Sequence, residues 1–291
     1  MVFEEIINPR DAEHNPYKLT LLGFFFASVG LWLAWWLFPG SAGLLSIFLT
    51  VMPLIPILTH LFEYEGEDQV EGVDHKGMFI RYFPIIMTLM ALFGGLLIGY
   101  TFWFSVLPDD MNKAMFNVQM DEFSAIRGAA VQMGGEASVA SGQAVGTSSA
   151  FETIFGHNLG VLALIVLLSV TYGAGAIYII AWNASVMAVF FGTIAKGALA
   201  SFTHMGAMSG LFAFGYGLFH GASAIGPHAF MELLAYLIAA IAGCILSAAL
   251  VRKVHRKPGG VAQIVFDVAK LFLLAVICLA AGAAIESLAF A

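Results

Sequence analysis

The sequence predicts an all-α protein that crosses a membrane several times. Of its 291 residues, 60% are hydrophobic and 11% are charged, whereas a soluble domain has about 25% charged residues. The mean hydropathy is +0.90. Several apolar runs are about 20 residues long, which is the length of a helix that spans a bilayer. Only helices and closed barrels satisfy their backbone groups inside lipid. We therefore predict a polytopic helical protein of the cell membrane.

Seven apolar segments are long enough to cross the bilayer. Pro39-Gly40 and Gly173-Ala174-Gly175 are turn signals between neighbouring spans, and Pro53 predicts a kink in the second span. Pro227 predicts a helix start, because proline is tolerated in the first turn, where its missing N–H has no partner. The predicted spans are 18–38, 41–62, 79–104, 157–172, 176–195, 227–251 and 261–288.

The segment between the fifth and sixth spans breaks this pattern. Residues 196–224 are apolar but contain six glycines. A basic cluster at 252–257 follows the sixth span, and the positive-inside rule makes it cytoplasmic. If the N-terminus is cytoplasmic, the basic cluster is also cytoplasmic only if segment 196–224 enters and leaves the membrane on the same side. We therefore predict one re-entrant or half-depth element and an extracytoplasmic C-terminus.

The predicted spans divide the chain into two parts. Residues 1–78 form a two-helix extension with an acidic cytoplasmic loop, and residues 79–291 form the main membrane domain. That domain contains an extracytoplasmic segment, 107–156, in which apolar residues recur at helical spacing and predict an amphipathic helix. These residues are Met115, Val118, Phe123, Ile126, Ala130 and Met133.

Polar residues within the spans predict a pocket in the outer half of the membrane. His228 and Glu232 are four apart, so they share one face of a helix. Ionisable side chains in lipid are costly and usually face the bundle interior, where they mark functional sites. The predicted topology places Asn158 and Glu286 in the same half and Asn183 about halfway across. The competing interpretation is that these groups satisfy one another and hold the helices together.

Five short motifs, in this order, resemble a known family: Phe155-Gly156-His157-Asn158, the Gly173-Ala174-Gly175 turn, Trp182-Asn183, Gly226-Pro227-His228 with Glu232, and a final Ile285-Glu286. The chain from about Arg81 onward is similar to the stage II sporulation protein M (SpoIIM) family of integral membrane proteins, in its archaeal-type form. One departure is Ala184, where the family commonly has glycine. In sporulating bacteria the family member acts as a membrane scaffold for peptidoglycan-degrading partners. The resemblance implies a multi-span membrane protein that assists an envelope-remodelling complex, and it does not transfer hydrolysis to this chain.

Three functions remain open from the sequence. The first is a scaffold or assembly factor of an envelope or membrane-remodelling complex, without enzymatic activity or cofactor. The second is a transporter or channel for a small solute or ion, because broken helices beside polar groups line such sites. The third is an intramembrane zinc-dependent hydrolase. Catalytic zinc needs three protein ligands, so His228 and Glu232 would need Glu286, His204 or His220 as a third.

The expected partners follow from the same composition. The lipid bilayer is the main one, other membrane or envelope proteins are expected for a scaffold, and a homo-oligomer is compatible with the sequence. Nucleic acid is excluded, because no basic patch is backed by stacking aromatics.

Overall fold

The structure is a computed structural model that describes residues 15–59, 61, 78–134, 147–172, 174–251 and 260–288. Every regular element in these ranges is helical. The α-helices are α1 (Tyr17–Leu37), α2 (Ala42–Val51), α3 (Met78–Val106), α4 (Asp109–Met115), α5 (Asn117–Gly134), α6 (Thr147–Tyr172), α7 (Ile177–Ala198), α8 (Ser209–Val251) and α9 (Gly260–Ser287). Short 3-10 helices at Pro39–Ser41, Ala174–Ala176 and Leu199–Met208 join neighbouring α-helices.

Six helical stretches in the described part of the chain are long and apolar enough to cross a membrane. They confirm that the protein is of the helical, multi-span membrane class. The stretches are Tyr17–Leu37, Pro39–Thr59, Tyr82–Val106, Ala150–Tyr172, Ile177–Ser247 and Val265–Ser287. The Ile177–Ser247 stretch is 71 residues long, because it contains both α7 and α8.

The chain folds back on itself between α7 and α8. Gly206 in the intervening 3-10 helix has φ 59° and ψ −126°, a conformation that glycine adopts without a steric penalty. Beyond it, Gly217 lies so close to α7 that an added Cβ would be 2.7 Å from the carbonyl oxygen of Phe191 and from the Cβ of Ala195. Farther along, Cys244 of α8 lines the same small apolar cavity as Ile177 of α7. The two helices are therefore antiparallel neighbours.

The prediction that Pro227 starts a helix is wrong. Pro227 lies inside α8, which runs for 43 residues without a break. A proline inside a helix removes one backbone hydrogen bond, but helices within a membrane bundle tolerate this loss because neighbouring groups compensate for it. Segment 196–224 accordingly consists of the end of α7, the Leu199–Met208 helix and the first part of α8, and it leads directly into the segment predicted as the sixth span.

Two further predictions can be compared with the helix boundaries. The kink predicted in the second span is confirmed, because α2 ends at Val51 and the chain turns at residues 52–53 before helical residues 54–59. The fourth span was predicted to begin at His157, but α6 already begins at Thr147. The basic cluster at 252–257 and most of the acidic loop lie outside the described residues.

Helices α1 and α3 pack with their backbones in close contact. An added Cβ on Gly23 would lie 2.7 Å from the carbonyl oxygen of Leu92, and one on Gly95 would overlap the Thr20 carbonyl. The hydroxyl of Thr20 donates to the carbonyl oxygen of Ala91 at 3.0 Å. Small residues allow this approach in membranes, where van der Waals packing drives helix association.

A buried hydrogen-bonded chain links the first three helices. The Tyr100 hydroxyl of α3 donates to Thr50 Oγ1 at 2.8 Å, and the Thr50 hydroxyl donates to the carbonyl oxygen of Phe26 in α1 at 3.2 Å. Tyr100 and Thr50 are fully buried. Because polar groups within an apolar core are stable only when paired, this chain specifies how the three helices fit together.

The segment predicted to lie outside the membrane closes one end of this bundle. The predicted helix corresponds to α5, except that Met115 lies in α4 and Ile126 is 49% exposed. Just before it, Phe116 is fully buried and makes edge-to-face contacts with Tyr100 and Phe104, with ring centroids 6.3 and 5.3 Å apart. The amide of Gln119 donates to the carbonyl oxygen of Gly43 at 2.8 Å. Helices α4 and α5 therefore form a cap on the ends of α2 and α3.

Lys196, near the end of α7, connects that helix to the same end. Its Nζ donates to the carbonyl oxygen of Leu107 at 2.8 Å and to the Asp109 carboxylate at 2.6 Å. The hydrogen bond from Lys196, together with its positive charge, holds the pKa of Asp109 below its usual value. The charged pair marks where the apolar parts of α3 and α7 end. Near the start of α9, Lys270 Nζ and Asp267 Oδ1 form an ion pair 3.9 Å apart.

We expect Gly95→Leu to destabilise the protein much more than Gly94→Leu. The backbone of α1 occupies the space beside Gly95, whereas no atom lies within 4 Å of a Cβ built on Gly94. Overpacking of this kind costs about 1–3 kcal/mol. Thermal unfolding of the two variants in detergent, followed by size-exclusion chromatography, makes the comparison. Equal midpoints would show that α1 and α3 are not closely packed.

Candidate functional site

Three helices meet around the side-chain amide of Asn158 in α6. Asn158 is buried. Its Nδ2 donates to Glu232 Oε1 at 2.6 Å, and its Oδ1 accepts a hydrogen bond from the Tyr236 hydroxyl at 3.2 Å. Glu232 and Tyr236 are four apart in α8, so they present adjacent groups on one face. We call Asn158, Glu232 and Tyr236 the amide cluster.

The position of Asn158 within α6 explains why its side chain can reach across to α8. The sequence predicted that His157-Asn158 would open a span, where asparagine commonly caps the helix N-terminus. Because α6 begins at Thr147, Asn158 is an interior residue and its backbone N–H is not an unpaired helix-start group. Its side chain is therefore available for bonds between helices.

Helix α9 completes the site through a close contact at Gly282. An added Cβ there would lie 3.0 Å from Glu232 Cγ and 3.2 Å from the carbonyl oxygen of His228. Glu286 follows one turn later on the same face of α9. It is close enough to His228 and to His157 of α6 to interact electrostatically with both, and Glu232 is close enough to interact with Glu286.

The site therefore has an inner and an outer part. The amide cluster is the inner part, and His157, His228 and Glu286 form the outer part, which we call the rim. His157 is exposed, while His228 and Glu286 are half-buried. In the rim two imidazoles can compensate the charge of one carboxylate, and in the amide cluster the Asn158 amide stabilises the other. This arrangement can hold three helices together.

Four of the five predicted pocket residues, Asn158, His228, Glu232 and Glu286, come together in this way. Asn183 does not join them by a hydrogen bond, because its Nδ2 donates to the carbonyl oxygen of Ile179 in its own helix at 2.8 Å.

The metal prediction stays a prediction. Within the described ranges, no three His, Cys, Asp or Glu side chains are grouped so that they could hold a metal ion. His204 and His220, predicted as a third ligand, are both exposed. The His220 ring lies against Tyr216 with centroids 3.9 Å apart and the ring planes tilted by 32°.

Two members of the site were not predicted from the sequence. Tyr236 continues the helical series of His228 and Glu232 at the same four-residue spacing, so that series already contained a signal for it. His157 is adjacent to Asn158, but the position of its imidazole near Glu286 depends on how α6 packs against α9.

The comparison with protein families is consistent with this fold. The family model for stage II sporulation protein M (SpoIIM) matches residues 19–289. This match includes the first two membrane helices, which we had expected to be an extension of the family domain. No curated protein and no solved structure matches the chain. Since the match extends over nearly the whole sequence, the chain belongs to the stage II sporulation protein M family.

Proposed function

We propose that the protein is a membrane scaffold, an assembly factor of a cell-envelope or membrane-remodelling complex. The observation that supports this function is the use of the Asn158 amide. One Nδ2–H of Asn158 donates to α8 and its Oδ1 accepts from α8, and Gly282 of α9 lies against Glu232, the partner of that N–H. The bonds of this buried amide therefore run between helices. They hold α6 and α8 in one arrangement.

The expected energies are compatible with a structural role. Hydrogen bonds between membrane helices contribute about 0.6 kcal/mol on average, so several must act together to specify one packing. Loss of the Asn158 donor would also leave Glu232 without its amide partner in an apolar bundle, and an unsatisfied buried polar group costs about 1–3 kcal/mol. The amide cluster therefore contributes more to the stability of the bundle than the sum of its hydrogen-bond energies.

The proposed topology has seven crossings, with the N-terminus in the cytoplasm and the C-terminus outside. In this arrangement α7 and the later part of α8 are separate crossings, while the chain between them stays on the outer side as a re-entrant or half-depth element. The cap formed by α4 and α5 then lies outside the cell. A cap anchored on the bundle would be a surface for envelope partners.

We expect Asn158→Leu to destabilise the folded protein by about 1–3 kcal/mol. Asn183→Leu is the matched control, because among the described residues Asn183 bonds to Ile179 of its own helix, and its loss should cost less than about 0.6 kcal/mol. Unfolding by dodecyl sulfate in mixed micelles measures both. If Asn158→Leu were as stable as Asn183→Leu, the amide cluster would not hold the helices together.

The scaffold function itself is tested by assembly size. In lipid discs extracted directly from native membranes, we expect wild-type protein in particles well above the 31.1 kDa of one chain, and Asn158→Leu largely as a free chain. Glu232→Gln keeps an oxygen that accepts from Asn158, so we expect it to assemble normally. A transporter would instead be indicated by two results together. The wild-type protein would not assemble into larger particles, and its proteoliposomes would show solute or ion flux that Glu232→Gln abolishes.

The topology is tested by cysteine labelling after Cys244 and Cys278, both buried, are replaced by alanine. Ser124→Cys on the cap should react with an impermeant maleimide in intact cells. Tyr172→Cys, at the exposed end of α6, should react only after permeabilisation. The reverse pattern would show that the protein is inserted with the opposite orientation.

A further inference from the structure

Helix α6 has one face that no other described helix covers. Of the six membrane-crossing stretches in the described part of the chain, the one in α6 has the smallest buried share, 28%. Its exposed residues include a set with the spacing of a single helix face. We call this set, together with the neighbouring Leu164, the open face; its other members are Gly156, Gly160, Ala163 and Leu167.

The two glycines of the open face leave room for the backbone of another helix. Among the described residues, no atom lies within 4 Å of a Cβ built on Gly156 or on Gly160. At Gly282, in contrast, a neighbouring helix of the same chain occupies the corresponding space. Small residues four apart allow two membrane helices to approach closely. The shape of the open face therefore favours a helix as its occupant.

The rim lies at the edge of the open face and gives that edge a charge. His157 follows Gly156 directly, and Glu286 of α9 is close enough to His157 to interact with it electrostatically. Helices α6, α8 and α9 contain no arginine and a single lysine, Lys270. Because Lys270 precedes Glu286 by about 24 Å along α9, it does not neutralise the Glu286 carboxylate.

The Glu286 carboxylate is complementary to a basic side chain from outside the chain. Charged groups in membrane helices usually pair with one another. Glu232 has the Asn158 amide as a partner, whereas the charged or titratable neighbours of Glu286 among the described residues are the two rim imidazoles and Glu232 itself. Lysine and arginine keep their positive charge at neutral pH, and near a helix end their long side chains reach sideways to a polar group.

We propose that the open face binds a membrane helix of another protein, and that a lysine or arginine near one end of that helix pairs with Glu286. The inference rests on the proposed scaffold function and specifies its partner. A second copy is not the occupant, because the three lysines in its described membrane-crossing stretches already have interactions. Lys196 is bound to Asp109 and Lys270 to Asp267, and Lys18 has an interaction of its own.

Photo-crosslinking in native membranes tests this pairing. Benzoylphenylalanine is placed at position 164 of the full chain, or at position 273 as a control, because Leu273 is 60% exposed on α9 but does not belong to the open face. After irradiation, the adducts are sized and the crosslinked peptides are sequenced. We expect position 164, and not position 273, to capture an apolar helix of a different protein that carries Lys or Arg in its first or last turns.

Variants test the charge and the shape of the surface separately. Glu286→Gln removes the charge and Gly160→Leu fills the open face, and each should lower the adduct yield by about tenfold, the effect of losing one half-buried ion pair or its geometry. Glu286→Asp keeps the charge and should keep the adduct. Asp267→Asn on α9 and Gly94→Leu, at another glycine with open space beside it, are the matched controls and should leave the yield unchanged.

Several results would overturn the proposal: an adduct only with a second copy, an adduct only with lipid, no adduct, a partner helix without a basic side chain, or a yield that Glu286→Gln and Gly160→Leu leave unchanged. Failure of the scaffold function is a distinct result. The wild-type protein would then be a free chain in native lipid discs, and both proposals would be refuted. Large particles together with any of the results above would refute only the role of the open face.

Discussion

The absence of water in the bilayer interior is the constraint on which the structure depends. Each polar group there must find a partner within the protein. The Tyr100–Thr50 chain in the first three helices and the amide cluster between α6 and α8 solve this problem in the same way: one buried side chain both donates and accepts. Hydrogen bonds that would be weak determinants of folding in water therefore specify which helices are neighbours.

Close helix packing at glycine is the second feature that holds the bundle together. At Gly95, Gly217 and Gly282 the neighbouring helix approaches so closely that a side chain would collide with it or force it to shift. Such contacts replace the hydrophobic effect, which does not drive helices together in lipid. Gly282 also has a direct role in the site, because the close approach of α9 brings Glu286 to the two imidazoles of the rim.

The amide cluster and the cap relate the structure to the proposed function. A scaffold must hold its own helices in one arrangement while it contacts lipid and partners. The amide cluster serves the first requirement, and the cap provides a surface for the second. The rim lies beside the amide cluster, with the exposed imidazole of His157 at its edge.

The sequence by itself determined the membrane class, the approximate positions of the spans, the shared face of His228 and Glu232, and the family. These properties depend on composition and on the 3.6-residue period, which are local. Only the tertiary structure decided that Asn158 bonds to α8 while Asn183 bonds within its own helix, although both are asparagines in apolar helices. It also decided that α8 continues through Pro227. Both outcomes depend on which helices pack together and at what height, and sequence spacing does not specify such contacts between distant segments.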